Sequence, residues 1–201
     1  AVLDTGLHLA HPAFSGRHAA GLDVVGDDVT AQDEGPGFGW GHGTHVGGIV
    51  AHMAPKAKIL PVRVLDANGR GNTFTLAYAI IWAADQGADV INLSLGADGG
   101  SRALEDAVAY AHAQGAVVVA AAGNEGTATL QYPAGFAGVI SVAAVDSANR
   151  KAAFSNYGDW VDLAAPGVGI TSTVPFTAGT VVSGTAVGVS PSAGSHGYAA
   201  W

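Results

Sequence analysis

Cysteine is absent from the 201 residues, which excludes a disulfide framework and any thiolate metal site and leaves the redox compartment unread. Basic residues are scarce: eight Lys and Arg stand against sixteen Asp and Glu, a formal charge of -8, and no local basic cluster offsets it. A phosphate backbone would be repelled, so nucleic acid is not an expected partner. Long apolar runs are missing as well. Apolar stretches such as Ala116 to Ala122 fall far short of the ~20 residues that span a bilayer, so no membrane role is expected and the chain reads as soluble. Ala1-Val2-Leu3 runs directly into an acidic motif instead of following a basic segment, so any leader or pro-segment is expected outside this chain.

What is present is apolar and small. Hydrophobic residues make up 49% and charged ones only 12%, a balance that demands a closely packed core. Most of the 30 glycines stand singly at the ends of apolar runs, which suits tight strand-to-helix turns better than a flexible linker. The length fits one domain, residues 1–201. Short, continuously apolar runs alternate with helically spaced ones. Lys58 to Leu65 predicts a strand. Asn72 to Gln86 predicts a helix with Leu76, Ile80 and Ala83 on one face, closed by Gly87. Asp89 to Leu93 predicts the next strand. Ser101 is placed to cap a helix with Glu105 and Asp106 in its first turn, ending at Gly115, and Ala116 to Ala122 returns as a strand. Strands without polar alternation, joined by helices, imply an α/β fold of three layers, a mostly parallel sheet with helices on both faces. Ligands then belong at the strands' carboxyl ends. Asp4-Thr5-Gly6, Ser94-Leu95-Gly96 and Gly123-Asn124 each follow such a strand, and the three motifs are expected to converge on one edge.

Gly41-His42-Gly43-Thr44-His45 precedes a small-residue segment, Val46 to Ala51, with the character of a tightly packed helix. The two histidines lack the His-Glu-x-x-His spacing of zinc proteases and the glutamate such a site uses as base. A lone histidine is more often structural than catalytic. A neutral imidazole takes a proton from a hydroxyl only when a carboxylate holds its other nitrogen, and Asp4 is the candidate for that carboxylate. By itself Asp-Thr-Gly could be a turn or half of a paired-aspartate site, but the sequence contains only one.

Val-Leu-Asp-Thr-Gly, Gly-His-Gly-Thr-His-Val-Gly-Gly, Asn-Leu-Ser-Leu-Gly, Ala-Ala-Gly-Asn and Val-Ser-Gly-Thr, in that order from Val2 to Thr185, resemble the motifs of the subtilase family of serine endopeptidases. The resemblance implies Asp4 as the orienting acid, His42 as the general base, a structural His45, and the Asn124 carboxamide as a donor to the oxyanion, where an asparagine after glycine is otherwise a turn or cap residue. It implies Ser94, Leu95 and Gly96 with Ala121, Ala122 and Gly123 as walls of the pocket for the residue before the scissile bond. Gly69, Arg70 and Gly71 correspond to the segment that pairs with substrate backbone. Strand addition of that kind carries little sequence information, so broad specificity with a preference for large apolar side chains is expected.

The pattern breaks at the nucleophile. Where the family has Gly-Thr-Ser-x-Ala-x-Pro, this chain reads Gly184-Thr185-Ala186-Val187-Gly188-Val189-Ser190-Pro191. Anchored on Gly-Thr, the serine position is Ala186. Anchored on Pro191, it is Val187, and neither can form an acyl-enzyme. The helix expected next is replaced by Ser192-Ala193-Gly194-Ser195-His196-Gly197, poor in helix formers. The resemblance leads one to expect that this single domain lacks the family's N-terminal segment and C-terminal helices. The family's calcium loop after the histidine helix is also absent, and Ala13 stands in His11-Pro12-Ala13-Phe14 where a ligating aspartate is usual, so no metal site and no strong calcium site of that kind is expected. The resemblance further implies a polypeptide substrate or inhibitory pro-segment as partner, an extracellular location and a monomer. The competing readings are a non-catalytic peptide-binding module on the same cleft and, more distantly, a metal hydrolase built on His42, His45 and Asp4.

Overall fold

Val2 and Leu3, apolar and buried, open strand β1 (Val2–Asp4) in the computed structural model, which describes residues 1–175. Two compact units divide those residues, one holding Ala1–Ala79 and the stretch from Thr171, the other Ile80–Ile170.

In the first unit β1 pairs in parallel with β3 (Pro61–Arg63), and β3 pairs in parallel on its other side with β2 (Leu22–Asp23). Leu3 and Val62 lie in register and lose all contact with solvent, each worth roughly 1.5–3 kcal/mol of hydrophobic burial. β3 is shorter than the apolar run Lys58 to Leu65 because β1 ends at Asp4 and the chain ahead of the strand bonds outside the sheet pair. Ile59 N donates to Arg17 O, and Val64 N and Leu65 N both donate to Asp4 O.

Helix α1 (His42–Met53) packs on β1. It begins at His42, four residues before the predicted start, although glycines and a β-branched threonine are poor helix formers. Tertiary contacts supply what propensity does not. The N-cap is Gly41, which has no side chain to cap with, and the buried Asp33 carboxylate accepts from Gly41 N at 3.1 Å and Thr44 N at 3.2 Å instead. At the other end the Arg17 guanidinium donates to Ala51 O and Ala54 O, so the last carbonyls are met by a cation, as the helix dipole favours.

Helix α2 (Thr73–Asp85) carries the chain into the second unit, burying Leu76, Ile80 and Ala83 as the spacing predicts, with Gly87 in the left-handed region just beyond it. There β4 (Val90–Leu93), β5 (Val117–Ala121), β6 (Val139–Val145) and β7 (Leu163–Pro166) pair in that order, all parallel. Helix α3 (Arg102–Ala113) packs on β5, and Ser101 Oγ caps it by accepting from Leu104 N. Parallel strands require every carboxyl end to face one way, so the segments after β4 and β5 share an edge.

Candidate active site

Asp4 closes β1 and is completely buried, while His42 opens α1 with only 8% of its surface exposed. The two meet at 2.7 Å, His42 Nδ1 to Asp4 Oδ1. Thr5 N donates to the same oxygen at 2.7 Å, fixing the carboxylate plane. A backbone contact makes the meeting possible. A Cβ on Gly43 would stand 2.1 Å from Gly6 O, so only glycine lets the first turn of α1 settle this close to the end of β1.

Asp33, nine residues ahead of His42, ties the two elements together, and in sequence it is no more than an acid upstream of a helix. Besides the helix amides it accepts from the Thr44 hydroxyl and, at 3.2 Å, from Thr5 Oγ1, which itself accepts from Gly43 N at 2.9 Å. Burial pushes the Asp33 carboxyl above its ordinary value, and the Thr44 and Gly41 donors pull it partly back. Asp33→Ala would strand four buried donors. We expect a stability loss of about 2–4 kcal/mol, read from the urea midpoint at unchanged slope, and a loss under 0.5 kcal/mol would contradict this role.

Other predicted site residues belong to the second unit. Asn124 follows β5 across Gly123, whose φ of +106° is strained for any other residue. Asn156, fully buried and not singled out by the sequence, holds this loop. Its Oδ1 accepts from Glu125 N and Thr127 N, its Nδ2 donates to Glu125 Oε2 at 2.7 Å, and its backbone N donates to Gly123 O. Asn124 N also donates to Glu125 Oε2. The Asn124 Nδ2 atom is buried and finds no partner among the described residues. A buried amide donor left in that state costs about 1–3 kcal/mol and suits an acceptor that arrives with a ligand.

Ser94, Leu95 and Gly96 follow β4, and Ala121, Ala122 and Gly123 close β5 beside them, with Asn92 Nδ2 donating to Ser94 Oγ. In the first unit Gly69, Arg70 and Gly71 follow a turn held by Asp66, whose Oδ1 accepts from Asn68 N and Arg70 N; Arg70 and Gly71 are exposed. His45 is half-buried on α1, and its carbonyl accepts from Ser172 Oγ. Among the described residues no cluster of three or more His, Cys, Asp or Glu side chains is placed to hold a metal ion. Ala186 and Val187, the two alternatives for the nucleophile position, lie outside the described residues.

Comparison with known proteins agrees with these motifs. The sequence model of the Subtilase family matches residues 1–199. The chain is 48% identical to the "Thermophilic serine proteinase" of Bacillus sp. (strain AK1), covering 93% of this chain and 48% of that protein. It is 45% identical to thermitase of Thermoactinomyces vulgaris, over 100% of this chain and 74% of that one. A crystal structure of a cold adapted subtilisin-like serine proteinase superposes with a TM-score of 0.78 at 35% identity, covering 86% of this chain and 64% of that one. A protease of Pseudoalteromonas arctica PAMC 21717 gives 0.75 at 36%, over 83% and 61%. The chain thus spans about half the length of the AK1 proteinase and shares with these structures the three-layer, mostly parallel α/β fold of subtilisins. By motif, by profile and by fold, the chain belongs to the subtilase family, peptidase family S8.

Proposed function

We propose that this chain carries the general-base and oxyanion parts of an endopeptidase that hydrolyses peptide bonds in polypeptides, with its nucleophile replaced. The observation that carries the reading is the 2.7 Å contact between a buried Asp4 and His42 Nδ1. With Nδ1–H held by a carboxylate, Nε2 is the basic nitrogen of the ring, and the imidazolium formed on proton uptake is stabilised. In that reaction His42 takes the proton of a serine hydroxyl, the serine oxygen attacks the peptide carbonyl, and the Asn124 amide donates to the resulting oxyanion. Its buried, unpartnered Nδ2 supports that role. The established cost of losing such a donor from a subtilisin is roughly 3–4 kcal/mol. Gly69, Arg70 and Gly71 pair with the substrate backbone.

The test is Ala186→Ser, assayed on an unfolded polypeptide. Gain of hydrolysis favours a disabled enzyme, whereas tight peptide binding with no gain favours a binding module. Hydrolysis by the unaltered chain that a chelator abolishes would favour the metal hydrolase. We further propose a monomeric state and an extracellular location, the latter supported by the family likeness; no helix among the described residues is long and apolar enough to cross a membrane. We also propose that the chain lacks the family's strong calcium site after the histidine helix. Excess chelator is therefore expected to leave the melting temperature unchanged, and a marked fall in calorimetry would refute this.

A further inference from the structure

Of the six asparagines in the chain only Asn68 is followed by glycine. The pairing matters because a backbone nitrogen reaches the carboxamide carbon of the residue before it most easily when no Cβ crowds the approach. Asn68 is exposed in the turn 66–70, and Gly69 follows it with a φ of +71°. One residue holds this turn. Asp66 O accepts from Gly69 N at 2.8 Å, and Asp66 Oδ1 accepts from Asn68 N and Arg70 N. Both bonds to that carboxylate are exposed to water, so the turn belongs to the part of the fold that opens locally. Phe38 N stands 3.4 Å from Asn68 Oδ1, a donor at the oxygen that becomes negative when Asn68 Cγ is attacked. The loop carrying Phe38 lies directly on the turn. Gly39 N donates to Ala67 O at 2.8 Å, a Cβ on Gly37 would stand 2.1 Å from Ala67 O, and one on Gly39 would stand 2.6 Å from Gly69 N. His42 N in turn donates to Gly39 O at 3.0 Å, so a single loop connects this turn to the start of α1.

We propose that Asn68 is a site of spontaneous covalent modification, deamidation to aspartate and isoaspartate, which loosens the loop leading to His42. When the turn opens, Gly69 N leaves Asp66 O, gives its proton to a solvent base and attacks Asn68 Cγ. The new N–C bond closes a cyclic imide as the Cγ–Nδ2 bond breaks, and the leaving nitrogen takes a proton from water and departs as ammonia. One water then adds to either imide carbonyl and opens the ring. Opening on one side leaves aspartate. Opening on the other routes the main chain through the former side chain and leaves isoaspartate, with one methylene more in the backbone. The glycine contacts at Ala67 and Gly69 leave no room for an added carbon, so the bond from Gly39 N to Ala67 O is lost. The modification needs neither a nucleophilic serine nor a substrate, and it stands apart from the peptidase reading.

The experiment is incubation of the full 201-residue chain at mildly alkaline pH, followed by peptide mass mapping and isoaspartyl methyltransferase labelling. The acid product is expected at position 68 ahead of every other asparagine, at about a tenth of its rate in urea, because the turn must open first. Asn68→Gln, whose longer side chain closes the ring poorly, is expected to abolish the methyltransferase signal there. Converted chain, separated by anion exchange on its added negative charge, is expected to exchange the Gly39 amide about tenfold faster by NMR. Asn68→Asp carries the charge without the methylene and is expected to keep Gly39 exchange within about twofold of the unaltered chain. No conversion of the folded chain while the urea-unfolded chain converts to completion overturns the proposal, since the turn then locks Gly69 N. Faster conversion at another asparagine overturns it too. Unchanged Gly39 exchange in the converted chain, or an equal gain in Asn68→Asp, refutes the link from the added methylene to the loop before His42.

Discussion

A fluorophosphonate is expected to leave this chain unlabelled, and peptide turnover to stay at background. Labelling requires a serine oxygen that His42 can deprotonate, and both readings of the Gly184-Thr185 segment put a hydrocarbon, Ala186 or Val187, in that place. In subtilisin, loss of the nucleophile alone is established to cost about 2 × 10⁶ in turnover, nearly as much as losing all three triad members. The residual rate comes from the oxyanion donors and binding. Ala186→Ser is therefore expected to restore both labelling and hydrolysis, with a gain of several orders of magnitude, and Val187→Ser to restore neither. Covalent labelling of the unaltered chain would refute this account, because some other residue would then be the nucleophile. The Asp4 and His42 contact does not involve position 186, so the base should be in place before the serine is returned.

In that restored background Asp4→Asn is expected to lower kcat by roughly 10⁴ with KM little changed, the loss associated with this acid in serine proteases. The local bonds say how. Oδ1 of Asp4 accepts from both Thr5 N and His42 Nδ1, so an asparagine oxygen held there by Thr5 N preserves the ring's orientation while removing the charge. The asparagine NH2 would then occupy the place of Oδ2, which is buried and has no partner among the described residues. If the carboxylate acts by stabilising the imidazolium, turnover collapses although the geometry survives. A variant that kept kcat within tenfold would assign Asp4 a purely structural role.

Sequence patterning located most of the framework for an identifiable reason. Helices α2 and α3 and strands β4 and β5 end within two residues of the predicted bounds because their signals are local: Leu76, Ile80 and Ala83 at helical spacing, Ser101 as a cap, Gly87 and Gly115 as stops. The misses have non-local causes. α1 starts at His42 because Asp33 caps it from another loop. β7 carries only the short apolar run Leu163–Pro166, mostly exposed and too brief to signal a strand. Asn156 is an ordinary amide in sequence, and only its partners reveal what it holds.

Taken alone, the amino-acid order determined the chemistry on offer: one acid, one imidazole and one carboxamide in subtilase order, with Ala186 directly after Gly184-Thr185. Such information is local, because motif and spacing define which groups exist. Tertiary structure decided how those groups are held. Asp33 fastens α1 to the loop after β1, and Asn156 fixes the loop that carries Asn124. These depend on buried hydrogen bonds between segments far apart in the chain, whose worth comes from removing both partners from water, and burial is a property of the folded whole.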